Sequence, residues 1–134
     1  MELDELWSFV LSKANKRWVW LAKSRQTAQI VAYAIGDRSE KTCHLLWRRI
    51  PNAYRQALCY TDSWEAYNKV IPAKQHQAVG KESGETAHIE RWNNTLRQRL
   101  ARFTRQSLAF SKSDFMHDGC LQLFLHRFNL EIIP

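Results

Sequence analysis

Three apolar runs, Leu3–Leu11, Arg17–Ala22 and Ala28–Ile35, occupy the first third of the chain and are rich in Trp, Val, Ile, Phe and Tyr. Such residues suit a pleated, half-buried surface. Polar breaks at Ser12–Lys16 and Lys23–Thr27 separate the runs, and Gly36-Asp37 closes the third. This spacing predicts a three-stranded antiparallel meander.

The pattern then changes period. Ser39 suits an N-cap, and Cys43, Leu46, Trp47 and Ile50 fall at i, i+3, i+4 and i+7 on a helix that Pro51 stops. Ala57–Tyr60 reads as a short strand, Ser63–Val70 as a short helix before Pro72, and Gln75–Val79 as a last edge strand. Gly80–Thr86, G-K-E-S-G-E-T, reads as a loop. A long helix follows, with Ile89, Trp92, Leu96, Leu100 and Phe103 as a stripe that would pack on the sheet. A final helix begins near Ser111–Ser113 and buries Phe115, Leu121, Phe124, Leu125 and Phe128. The expected order is βββαβαβα, with no internal repeat.

With 134 residues the chain is long enough for one domain with a real core, and 45% hydrophobic content with six Trp and six Phe excludes disorder. A net charge of +7 points to a polyanionic partner. Cys43, Cys59 and Cys120 lie far apart without C-x-x-C spacing, which argues against a disulfide framework or zinc ribbon and suits a reducing cytosol. No basic n-region follows Met1, and no apolar run approaches the roughly 18 residues a membrane span needs. A soluble intracellular protein with no membrane partner is expected.

The chemistry concentrates in Thr86–Lys112. Glu90 stands near the head of this helix, and no acid occurs from Arg91 to Ser113, where Arg91, Arg97, Arg99, Arg102, Arg105 and Lys112 supply six positive charges. Asn94 and Arg97 share the face of Glu90, opposite Trp92 and Phe103. Such a surface suits DNA phosphates more than bases, although an ordinary solvated face reads similarly. Asp4 lies in the first predicted strand and Asp62 just past the fourth. If those strands pair, the two aspartates sit side by side and the helix brings Glu90 over them. Three carboxylates suit Mg²⁺ or Mn²⁺, and two such ions can drive phosphoryl transfer.

Each acid has a rival. Glu5 adjoins Asp4, Asp62 could instead serve a turn or cap the next helix beside Ser63, and Glu82 and Glu85 lie in the loop before Glu90. His88 and Glu90 form H-x-E, but the P-C-x-x-C partner of zinc deaminases is absent. His44, His117 and His126 read as surface or core histidines, and the six tryptophans as core, with Trp64 beside Asp62 the one to watch.

D-E-L-W at the start, Y-T-D-S-W-E-A-Y in the middle and I-E-R-W-N-N-T-L-R-Q-R-L-A-R-F-T-R-Q-S-L-A-F-S-K-S resemble the catalytic half of insertion sequence 1 family transposases. The resemblance spans nearly the whole chain. It implies a ribonuclease H-like α/β fold, with a mixed five-stranded sheet flanked by helices and a C-terminal helical extension. The catalytic domain would cover residues 1–110, and the extension, 111–134, would pack on it. Matched motif to motif, the family's metal-binding Asp-Asp-Glu triad falls on Asp4, Asp62 and Glu90. The activity implied is hydrolytic nicking at an element's ends, then attack of the freed 3′ hydroxyl on target DNA. Double-stranded DNA and further copies of the chain in a synaptic complex are the implied partners, at the bacterial nucleoid. Family transposases also carry an upstream zinc-finger or helix-turn-helix region, whereas this chain starts at Met1 almost on the first strand. An upstream DNA-binding protein or domain is therefore an expected partner. A nuclease without strand transfer and a non-cutting DNA-binding or regulatory remnant are the competing expectations.

Overall fold

The computed structural model describes residues 1–10, 12–62, 64–80, 83–99 and 114–131, with the side chains of 8–10, 12–15, 97–99 and 115 outside the description. The elements run β1 (Glu2–Val10), β2 (Ser12–Lys23), β3 (Ile30–Gly36), α1 (Glu40–Arg49), β4 (Cys59–Thr61), α2 (Glu65–Val70), β5 (His76–Ala78), α3 (Ala87–Arg99) and α4 (Asp114–Glu131). The sheet order is β3-β2-β1-β4-β5. β1 pairs antiparallel with β2 and parallel with β4, and β5 joins β4 in parallel. A meander followed by parallel strands, with helices on both faces, is the ribonuclease H-like arrangement.

Three strand starts differ from expectation by two residues or more. One of them is β4, which begins at Cys59 rather than Ala57 because the Ala57 N–H closes a turn on Tyr54 O at 3.1 Å. β2 starts at Ser12, so the supposed break at Ser12–Lys16 lies within the strand, where Lys16 pairs with Phe9 and Ser12 with Val10. Antiparallel pairing runs through the main chain, and polar side chains do not interrupt it. β3 starts at Ile30 rather than Ala28, because Ala28 has a left-handed φ of 63°. That turn is closed by the Ser24 N–H on Gln29 O at 2.9 Å and the Ala28 N–H on Ser24 O at 3.0 Å.

The start of α1 also differs in mechanism. Ser39 occupies the N-cap position but its side chain makes no capping bond. Asp37 instead braces the entry to the helix: its Oδ1 accepts the Ser39 N–H at 3.1 Å, the Thr42 hydroxyl at 2.8 Å, and the Ser39 hydroxyl. Asp37→Ala is expected to cost about 1–2 kcal/mol, the scale of lost hydrogen bonds to a carboxylate. Urea unfolding would show a lower midpoint with an unchanged slope.

Alternation along the strands divides the core. Leu3, Trp20, Ala22, Ala32 and Ala34 face Cys43, Leu46 and Ile50 of the α1 region and Ala66, Tyr67 and Ile71 around α2. Leu6, Val19, Leu21 and Ile30 face the other way, against Ile89, Trp92 and Leu96 of α3 and Leu121 and Leu125 of α4. A bulge between the Ala22 and Lys23 pairings lets neighbouring Val31 and Ala32 both serve the first cluster. Leu100, Phe103 and Phe115, expected in the second layer, fall outside the described residues or side chains, as do Ser111–Ser113 and the expected boundary at 110/111. Burial pushes the Cys43 thiol up to about 12 and the Cys59 thiol to about 11, and all three cysteines are free. No described helix is long and apolar enough to cross a membrane.

Candidate active site

β1 sits at the centre of the sheet, and its neighbour across the parallel edge is β4, with Glu2 opposite Tyr60. Counting two residues on along each strand brings Asp4 level with Asp62. Ligand oxygens of Asp4, Glu5 and Asp62 lie within 4.8 Å of one another. Glu90, in the first turn of α3, lines the same cavity of about 300 Å³ together with Arg38, Asn93 and Asn94. The structure thus brings Asp4, Asp62 and Glu90 to one hollow, with Glu5 as a fourth acid.

Each carboxylate is held differently. Asp4 Oδ1 accepts the Glu5 backbone N–H at 2.9 Å, and its Oδ2 accepts Asn93 Nδ2 at 3.0 Å. Asp62 Oδ1 accepts the Trp64 N–H at 3.0 Å, a local turn leading into α2, whose N-cap residue is Trp64. Glu90 Oε1 accepts the Thr86 hydroxyl at 3.0 Å, one turn earlier, and the helix N-terminus favours its negative charge. Glu5 is the most enclosed, with a side chain only 1% exposed. Its Oε1 accepts Arg38 Nε at 3.2 Å and Nη2 at 3.0 Å, and its Oε2 accepts the Tyr67 hydroxyl at 2.6 Å.

Crowding shows in the titration of Asp4. Burial first, then the charges of Glu5, Asp62 and Glu90, push its carboxyl up to about 7, against a smaller pull from the Glu5 N–H. Burial raises Glu5 as well, and the charge of Asp62 adds to it, while the Tyr67 hydroxyl and Arg38 hold it back. Buried Tyr67 itself lies well above the usual phenol range, from burial and the same acids. Among the described residues, four carboxylates thus face one guanidinium around the hollow.

The residues expected on the DNA-facing side are only partly in view. Asn94 lines the cavity and is exposed; Arg91 is exposed but outside the lining. The side chains of Arg97 and Arg99 lie outside the description, and Arg102, Arg105 and Lys112 lie outside the described residues, as does the rival acid Glu82. His88 stands 3.3 Å from buried Glu2, not in a metal cluster among the described residues. Asn93, Arg38 and Tyr67 were not expected. Asn93 sits three positions after Glu90, so helical spacing could have found it. Arg38 comes from the loop after β3, and no local pattern marks it.

A central β1 flanked by β2 and β4, with carboxylates from β1, the end of β4 and α3 around one hollow, defines a ribonuclease H-like protein with an acidic site. The IS1 transposase family model matches residues 1–130. The chain belongs to the IS1 transposase family. It is 36% identical over 126 residues to the insertion element iso-IS1n protein InsB of Shigella dysenteriae, covering 94% of this chain and 93% of that protein. It is 36% identical to the insertion element IS1 protein InsB of Shigella flexneri, covering 93% and 92%. Against the insertion element IS1 4 protein InsB of Escherichia coli strain K12, identity is 35% over 93% of this chain and 72% of that protein.

Proposed function

We propose that the chain cuts DNA strands and joins the freed 3′ hydroxyl to a second duplex, with Asp4, Asp62 and Glu90 holding Mg²⁺ or Mn²⁺. The observation that carries this reading is the convergence of these three acids on one hollow, where Asp4 resists ionising until about pH 7. An all-oxygen donor set suits a hard divalent cation. When bound, one or two such ions supply Lewis acidity for the attacking and departing oxygens of phosphoryl transfer.

The chain supplies position. Asn93 and the Glu5 N–H orient Asp4, the turn at Trp64 orients Asp62, and Thr86 orients Glu90. The basic face expected from Arg91, Arg97, Arg99, Arg102, Arg105 and Lys112 would run along the DNA backbone on either side. Synapsis of two DNA ends calls for more than one copy of the chain, and end recognition for an upstream DNA-binding protein or domain.

Glu90→Gln keeps size and loses the charge, so its expected result is loss of Mg²⁺- or Mn²⁺-dependent nicking and joining with duplex binding retained. A labelled duplex with a free 3′ hydroxyl end checks this on a gel. Equal cutting by wild type and variant would sink the assignment of Glu90. Cutting without joining would identify a nuclease, and binding unaffected by EDTA with no cutting would identify a DNA-binding remnant.

A further inference from the structure

Arg38 is the only cationic side chain lining the acidic cavity among the described residues. Two of its nitrogens, Nε and Nη2, converge on Glu5 Oε1, while Nη1 has no hydrogen-bond partner among the described residues. The guanidinium carbon lies 4.1 Å over the Trp64 ring and 4.8 Å over the Trp18 ring. Its side chain is 39% exposed, although its anchor is 1% exposed. An arginine that served only to neutralise buried Glu5 would turn its whole fork inward. Here the head is fixed by two aromatic faces and one carboxylate oxygen, and a donor is left over at the rim of the hollow.

Glu5 is correspondingly occupied. Arg38 supplies two N–H donors to Oε1, and the Tyr67 hydroxyl donates to Oε2, so three of the four lone-pair sites of Glu5 face protein donors. Glu5 thereby anchors Arg38 while standing beside Asp4 and Asp62.

We infer that Arg38 is a phosphate-binding residue of the active site, its Nη1 donating to a non-bridging oxygen of the DNA phosphate seated between Asp4, Asp62 and Glu90, with Glu5 as its anchor. This rests on the reading of the hollow as a DNA-cutting centre. A planar guanidinium suits phosphate oxygens, and one already held in place loses little freedom on binding. It also offsets charge that develops on the reacting phosphate.

The test compares wild type with Arg38→Ala in two assays. In Ca²⁺, binding of a short duplex is followed against salt; the slope of log affinity on log salt is expected to fall by about one for the variant. In Mg²⁺, single-turnover nicking and joining are expected to slow by about 100-fold, the scale of one lost oxyanion donor. Added guanidinium ion at millimolar concentration should raise the variant's rate and leave wild type unchanged, which a purely structural defect would not do. Arg38→Ala leaves Glu5 buried without its cation, so Glu5→Gln/Arg38→Ala is run beside it and should show the same three results in a folded chain. An unchanged salt slope, or a slow rate that guanidinium does not recover, overturns the inference. If wild type is itself inert in Mg²⁺ and Mn²⁺, the reading of the hollow falls, and the salt slope alone decides whether Arg38 meets phosphate.

Discussion

Asp4→Asn is expected to abolish DNA cutting and yet, in metal-free solution above pH 7, to make the fold more stable. The carboxyl of Asp4 ionises at about 7 in the folded chain against 3.8 for an ordinary aspartate, because burial and three neighbouring acids oppose its charge. The folded state therefore holds its proton more tightly than the unfolded chain. That contribution to wild-type stability is full below about pH 4 and is lost as pH rises to about 7. Asparagine carries no charge at any pH. The variant's advantage should be absent near pH 4, grow up to pH 7 and stay level above it. Its ceiling is about 4 kcal/mol, and solvent reaching the half-buried carboxylate lowers it. Melting curves across pH check the sign. On the proposed reading of Asp4 as a metal ligand, divalent cation should then reverse the order, since a cation stabilises the state that binds it. A variant less stable than wild type at pH 8 without metal would refute the crowding account.

Trp92→Ala is expected to cost about 3–5 kcal/mol, a large share of the roughly 5–15 kcal/mol that holds such a domain together. Trp92 is 4% exposed, and its ring meets Phe124 and Phe128 edge-on, with centroid distances of 6.2 Å and 5.2 Å respectively. It thus joins α3 to α4 over the sheet. Its indole Nε1 has no hydrogen-bond partner among the described residues, so Trp92→Phe should be much milder than the alanine variant. Because Asn93 and Glu90 ride on the same helix, activity should fall with the alanine variant's stability and recover with that of Trp92→Phe. Denaturant melts beside nicking assays would show whether the two losses move together.

The residues that follow a simple period were legible in the sequence. The meander, the α1 stripe of Cys43, Leu46 and Ile50, and the α3 stripe of Ile89, Trp92 and Leu96 are all buried where spacing placed them. Trp47 is only half-buried and packs against the edge of its cluster. Strand ends were less legible, because the left-handed Ala28 and the polar residues of β2 carry no clear mark in the sequence. Asp4, Asp62 and Glu90 could be brought together only by supposing that the fourth strand pairs with the first, which the order β3-β2-β1-β4-β5 provides. Arg38 escaped notice because its link to Glu5 spans 33 residues and follows no period. Ser39 is of the right type for a cap, yet its hydroxyl is turned to Asp37, and nothing in the sequence marks that exchange.

The parallel edge between β1 and β4 has a consequence for the order in which this chain becomes dangerous to DNA. The meander needs only contacts between neighbours in sequence, whereas β1 pairs with β4 through Glu2 and Tyr60, 58 residues apart, and meets α3 through partners 89 apart. Long closures of this kind are slow compared with hairpins. A chain that has formed only its first three strands carries Asp4 and Glu5 on β1 but neither Asp62 nor Glu90 beside them. The full set of four acids meets only when the later elements dock, so a half-made copy emerging from the ribosome has no assembled acidic hollow.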